Sequence, residues 1–158
     1  MVCVAVSLTS ACSGRSTDAE AINSLDGLYR AALDEIISTD TALNTNMEYI
    51  SVVFDQSIQP GDSDRQHIVE YLHQKYKVEI YKLTYKQLVK QGLYDGDKSN
   101  LKGILLQIAK PEQPDQQNKV SIDASKYRSN EGSYSSKIIL EYRKNKWTVV
   151  DHIPISES

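Results

Sequence analysis

Apolar residues recur at three- and four-residue steps over positions 18–37. Ile22, Leu25, Tyr29, Ala32 and Ile36 fall on one face, the spacing of an amphipathic helix with a stripe to bury. Asp18 and Glu20 suit the positive end of its dipole, and the polar Ser38-Thr39-Asp40-Thr41 ends it. At 48–54 the pattern turns β-branched and aromatic, which predicts a strand. Pro60-Gly61 marks a turn, after which Ser63 is expected to cap a second helix carrying Ile68, Val69, Leu72 and Tyr76 on one stripe. A short helix follows at 85–91. Thr84 and Gln87 have the spacing of a capping box, Leu88 supplies an apolar anchor and Gly92 a stop.

Beyond it the chain reads as four strands, at 101–109, 120–127, 137–143 and 146–152, with a polar loop at 111–118. Lys144-Asn145 fits a two-residue hairpin. In that register Tyr142 faces Trp147 and Leu140 faces Val149, with Ile139 and Val150 on the opposite side. One helix, one strand, two helices and a four-strand meander predict an α+β fold. Its N-terminal helices pack against a curved, cone-like antiparallel sheet.

The first seventeen residues stand apart from this pattern. An apolar run at 2–8 is followed by Thr9, Ser10 and Ala11, directly before Cys12. Small side chains next to a cysteine are what a lipoprotein signal peptidase requires at its scissile bond. Cleavage there would leave Cys12 at the amino terminus to carry acyl chains. The expected organisation is a partial lipoprotein signal segment at 1–12, a polar tether at 13–17, and one α+β domain at 18–158. Two details depart from the pattern: Thr9 stands where such signals usually carry Leu, and no Lys or Arg precedes the apolar run. A translation start upstream of Met1 would supply the missing charge. The expected location is the extracytoplasmic face of the cell membrane, held through Cys12.

Composition narrows the partners. The net charge of −3 lacks the basic excess of a nucleic-acid binder, and no other apolar run approaches the length of a membrane span. Cys3 and Cys12 are the only cysteines, which leaves no disulfide framework and no thiolate zinc site. Ten tyrosines stand against one Phe and one Trp, a bias that suits half-wet surfaces and exposed sheet faces.

Candidate chemistry is sparse. His67 and His73 lie six residues, about 600° of helical rotation, apart and cannot form a one-face metal pair. Asp95-Gly96-Asp97 resembles the start of a calcium loop, but no glutamate follows at the required spacing and Lys98 opposes a cation. Neither a metal nor a cofactor is expected. Lys75, Lys77, Lys82, Lys86 and Lys90 make the middle of the chain basic, as a solvated helix face or one that touches anionic headgroups. Asp55 closes the first strand and His152 lies near the end of the last. As an acid–base pair they would serve an isomerase- or hydrolase-like pocket, provided their side chains converge. Arg128, flanked by Tyr127 and Ser129, has the make-up of a carboxylate or phosphate grip, or of a surface ion pair. Trp147 opposite Tyr142 is either core or a stacking platform.

The chain resembles the nuclear transport factor two-like (cystatin-like cone) superfamily as found in small lipoproteins of Gram-positive bacteria. The residues that carry the likeness are Thr41-Ala42-Leu43-Asn44-Thr45-Asn46-Met47-Glu48-Tyr49-Ile50, Leu88-Val89-Lys90-Gln91-Gly92-Leu93, and Lys126-Tyr127-Arg128-Ser129 with the hairpin around Lys146-Trp147. The resemblance implies the helix-on-sheet fold. The superfamily hosts enzymes, binding domains and scaffolds alike, so it does not choose a function.

The leading expectation is a lipid-anchored extracytoplasmic binding or accessory domain without catalytic activity of its own. Its contact surface would be Tyr127, Arg128, Tyr142 and Trp147, and its partners the membrane through Cys12 and a small ligand or envelope protein. One alternative is the cone-pocket enzyme using Asp55 and His152. Another is an envelope-assembly or toxin-neutralising interaction protein, with an apolar patch near Ile139 and Val150.

Overall fold

A computed structural model describes residues 25–56, 60–113 and 118–158. The signal-like segment with Cys12, the tether, and positions 18–24 of the first predicted helix lie outside the described residues. The fold is α+β, with three helices and a mostly antiparallel six-stranded sheet among those residues.

Helix α1 (Leu25–Ser38) buries Tyr29, Ala32 and Ile36 of the predicted stripe, joined by Leu28, Leu33 and Ile37, while Leu25 is half-buried. It packs against the last three strands of the sheet and against the second helix. A single 3₁₀ turn (Thr41–Asn44) leads into β1 (Tyr49–Phe54). Helix α2 (Asp62–Tyr76) starts two residues earlier than expected. Gly61, not Ser63, occupies its N-cap, and Asp62 and Asp64 in the first turn meet the positive dipole end instead. Lys77, left-handed at φ 58°, closes it.

The three-residue β2 (Glu79–Tyr81) was not foreseen. Helix α3 (Tyr85–Lys90) follows, with the Thr84 N–H donating to Gln87 Oε1 at 2.8 Å as the capping box requires. The expected strand at 101–109 is two strands. β3 (Tyr94–Asp95) pairs with β4 (Asn100–Leu101) in a small ribbon, and β5 (Ile104–Ile108) enters the main sheet. The break falls at Gly103, where a Cβ would lie 2.2 Å from the Tyr49 carbonyl oxygen. Only glycine lets the chain pass β1 that closely.

β6 (Lys119–Ser129), β7 (Gly132–Arg143) and β8 (Lys146–Glu157) complete the sheet in the order β2-β1-β5-β6-β7-β8. β5 to β8 form the expected antiparallel meander. β1, however, joins β5 in parallel, and β2 joins β1 in parallel. The helical crossovers return the chain to the same end of the sheet before each new strand, and that geometry yields parallel neighbours.

The hairpin register is as read: Tyr142 pairs with Trp147 and Leu140 with Val149. Lys144 and Asn145 both have positive φ, 49° and 60°, which matches a type I′ turn. A bulge between Ile139 and Leu140 leaves Val150 out of register. β8 is the outer strand and carries Pro154, whose missing N–H is tolerated at an edge.

The two sheet faces differ. One is covered by α1 and α2 over a core that includes Ile50, Leu106, Ile122 and Ile138. The other is covered at one end only, where α3 sets Leu88 beside Tyr49, Leu101 and Leu105. Among the described residues no element covers the rest of that face.

Candidate functional site

Strand alternation builds the open face. Along β6, Val120, Ile122 and Ala124 point into the core, and the phase between them presents Ser121, Asp123 and Ser125 to the other side. Cross-strand register then places Gln107, Ser125, Ser135 and Ser156 side by side across four strands. Two adjoining depressions, of about 300 and 390 Å³, share Gln107, Ser125 and Ser135 and form one trough.

At one end the trough reaches Val53, Asp55 and Asp123. There Lys137 Nζ lies 2.9 Å from Asp123 and 3.5 Å from Glu112, so its charge is matched. At the other end it reaches Leu105, Ser133, Tyr85 and Tyr127. The Tyr85 and Tyr127 rings meet edge to face at 5.6 Å, and Tyr94 stands 6.4 Å from Tyr85. Burial, together with Tyr85 and Tyr94, raises the Tyr127 phenol above its ordinary pKa, so it stays protonated and donates to Asn130 Oδ1 at 2.9 Å. The serines pair: Ser135 with Ser156, and Ser133 with Ser158, each at 2.7 Å.

The four residues expected to form one contact surface are divided between the two faces. Tyr127 lines the trough. Arg128, its neighbour in the strand, turns the other way. Its Nη1 donates to the carbonyls of Leu43 (2.7 Å) and Thr45 (2.6 Å), and its Nε to Leu101 (3.3 Å). The guanidinium is thus occupied by backbone oxygens and is no anion grip. Tyr142 and Trp147 face the helices, with ring centroids 5.3 Å apart and the indole packed over Gly27. They border a separate cleft of about 400 Å³ beside Arg30, Asp34 and Tyr71.

The expected Asp55–His152 pair is not assembled. Asp55 borders the trough. His152 lies opposite Ile138, a core residue, on the helix-covered side, and its Nδ1 is 3.0 Å from Glu35 Oε1 of α1. The sheet separates the two side chains, which removes the geometry that the acid–base reading requires. The other two histidines are also away from the trough: His67 Nδ1 lies 3.9 Å from Asp26, and His73 Nδ1 contacts the Val78 carbonyl at 2.9 Å. Among the described residues, no group of three or more His, Cys, Asp and Glu is placed to hold a metal ion.

Two polar clusters escaped the sequence. Lys126 is fully buried on the helix side of β6. Its ammonium donates to the carbonyls of Ile37 (3.1 Å), Asp40 (2.8 Å) and Thr39, and to Asn44 Oδ1 (3.2 Å). It therefore caps the end of α1 and the turn that follows. Burial pushes its pKa down to about 8, against the pull of the Asp40 carboxylate. The clue was available: Lys126 continues the inward phase of Val120, Ile122 and Ala124. In the second cluster Asp34 accepts from the Tyr71 and Tyr76 hydroxyls, the latter at 2.9 Å, and pairs with Lys75 Nζ at 2.8 Å, tying α2 to α1. Burial and Asp34 raise the Tyr76 phenol far above its ordinary value.

Family models, curated proteins and solved structures give no match to this chain, so its function is read from the site alone.

Proposed function

We propose that this protein is a lipid-anchored extracytoplasmic binding domain without catalytic activity of its own, held through an acylated Cys12 and meeting its ligand in the open-face trough. The observation that carries the binding half is the chemistry of that trough. Its serines and Gln107 are arrayed for hydrogen bonding, while all three imidazoles of the chain are engaged elsewhere. A serine without a neighbouring base is a poor nucleophile and a good hydrogen-bonding group. The anchoring half rests on the residues before Cys12. The resemblance to nuclear transport factor two-like lipoproteins belongs to the same proposal, supported by the order of helices and strands.

Intact-mass measurement on protein recovered from the native membrane fraction, beside a Cys12→Ser variant, tests the anchor. The expected species begins at Cys12 and carries acyl mass that the variant lacks. An unmodified chain retaining Met1 would remove the anchoring.

A second reading, an envelope-assembly or toxin-neutralising interaction protein, is favoured by the outer strand. On β8, Ile153 and Ile155 are 50% and 56% exposed and Val150 40%, whereas Ile139 is half-buried. Contact through that strand would show as slowed amide exchange along β8 on partner binding, with Gln107 and Ser125 of the trough unchanged.

A further inference from the structure

We infer that the aromatic end of the trough binds a neutral saccharide. This rests on reading the trough as a binding site and names its ligand class. The depression of about 390 Å³ is lined by Tyr85, Leu105 and Tyr127 as apolar surfaces, and by Gln107 and Ser125, Ser133, Ser135 and Ser156 as neutral hydrogen-bonding groups. Lys126 belongs to the same stretch of strand, but its ammonium is held on the opposite face by the Ile37–Asn44 oxygens. The charged groups nearest it, Asp55 and Asp123 with Lys137, belong to the adjoining depression, where Lys137 is held by Asp123 and Glu112.

Charge complementarity therefore selects the ligand. An ionised group entering here would lose hydration and find no counter-charge. A wholly apolar ligand would cover the hydroxyls and strand their lone pairs. A sugar ring answers both demands: its C–H face packs against an aromatic ring, and its hydroxyl rim exchanges hydrogen bonds with serine and amide groups. Tyr85, 38% exposed, stands at the lip, held edge to face by Tyr127 and Tyr94 and with part of its ring open to receive such a face. The volume falls within the range of about 300–1,000 Å³ typical of small-ligand sites.

The test is calorimetric titration of the intact chain with three probes: the tetramer of N-acetylglucosamine, maltotetraose, and the charged tetragalacturonate. At least one neutral tetramer should bind, with tetragalacturonate weaker. Tyr85→Ala should weaken binding about tenfold, since an aromatic contact and its buried area are lost. Tyr85→Phe should retain it, and Tyr142→Phe, on the far face, should leave it unchanged. Because Tyr85 is exposed, its loss leaves the fold intact, which thermal unfolding of each variant checks. Binding of tetragalacturonate alone, weakened by Tyr85→Ala, would overturn the neutral class while leaving the trough as the site. Absence of binding by both neutral tetramers, or neutral binding indifferent to Tyr85→Ala, would overturn the inference. Neutral binding lost in Tyr142→Phe would move the site to the other face and overturn the trough as well.

Discussion

Replacing Lys126 by Met keeps most of the apolar stem and deletes the ammonium that three backbone carbonyls and the Asn44 amide oxygen share. The Ile37 contact is fully buried, and the other three reach partly buried ground. An orphaned buried acceptor costs about 1–3 kcal/mol, less where water can enter. One full penalty and three partial ones, offset by relief from burying a charge, give a loss of about 3 kcal/mol. Urea unfolding followed by Trp147 fluorescence reads this directly, because Trp147 is the only tryptophan. Amide exchange should also accelerate around Asp40–Asn44. A variant within about 0.5 kcal/mol of the parent, inside the range of an ordinary surface change, would refute the capping role.

The same residue sets a pH signature. Burial lowers the folded pKa to about 8 from an ordinary 10.5. Between those values the unfolded chain binds more protons than the folded one, so stability rises with pH. From pH 8 to pH 10 the gain should be about 2 kcal/mol, and it should vanish in Lys126→Met. Tyr29 and Tyr49, raised by burial to about 12 from 10.0, act in the opposite sense. They hold their protons in the folded state, so their contribution is lost only as pH rises above about 10.

Three further substitutions follow from the same geometry. Gly103→Ala drives a Cβ into the Tyr49 carbonyl and should cost about 3 kcal/mol or more in urea unfolding, with a parent-like midpoint counting against the close approach. Lys144→Gly relieves a left-handed residue at φ 49° and should stabilise the hairpin by up to about 1 kcal/mol; a loss in thermal unfolding would contradict the turn assignment. Arg128→Lys replaces a fork whose Nε and Nη1 reach separate carbonyls by a single point donor, and should lose about 1–2 kcal/mol while leaving ligand affinity unchanged. A large affinity loss in that variant at intact stability would restore Arg128 to the binding surface.

What could be read from the sequence was local. The Tyr29–Ala32–Ile36 part of the α1 stripe, the Thr84–Gln87 cap and the Tyr142–Trp147 register each depend on residues a few positions apart, and the structure has all three. The misplaced features depend on distant partners. β2 is three residues long and owes its place to parallel pairing with β1, for which no local pattern exists. Arg128 looks like an anion grip until the Leu43 and Thr45 carbonyls arrive from 85 and 83 residues away. Asp55 and His152 could have met only if two strand ends turned inward on one face, and alternation through the β8 bulge sends His152 to the helices. The trough left a trace that was legible: polar Ser121, Asp123 and Ser125 alternate with apolar Val120, Ile122 and Ala124, the mark of a sheet face left wet.

The most direct measurement is amide chemical-shift mapping of the isotope-labelled chain, titrated in turn with the two neutral probes, the tetramer of N-acetylglucosamine and maltotetraose. The expected shifts cluster on the open face, at Leu105 and Gln107 of β5, Ser125 and Tyr127 of β6, and Ser133 and Ser135 of β7. Shifts confined to the helix-side cleft at Arg30, Asp34 and Trp147, or no shift with either tetramer at saturation, would contradict the trough as the contact surface.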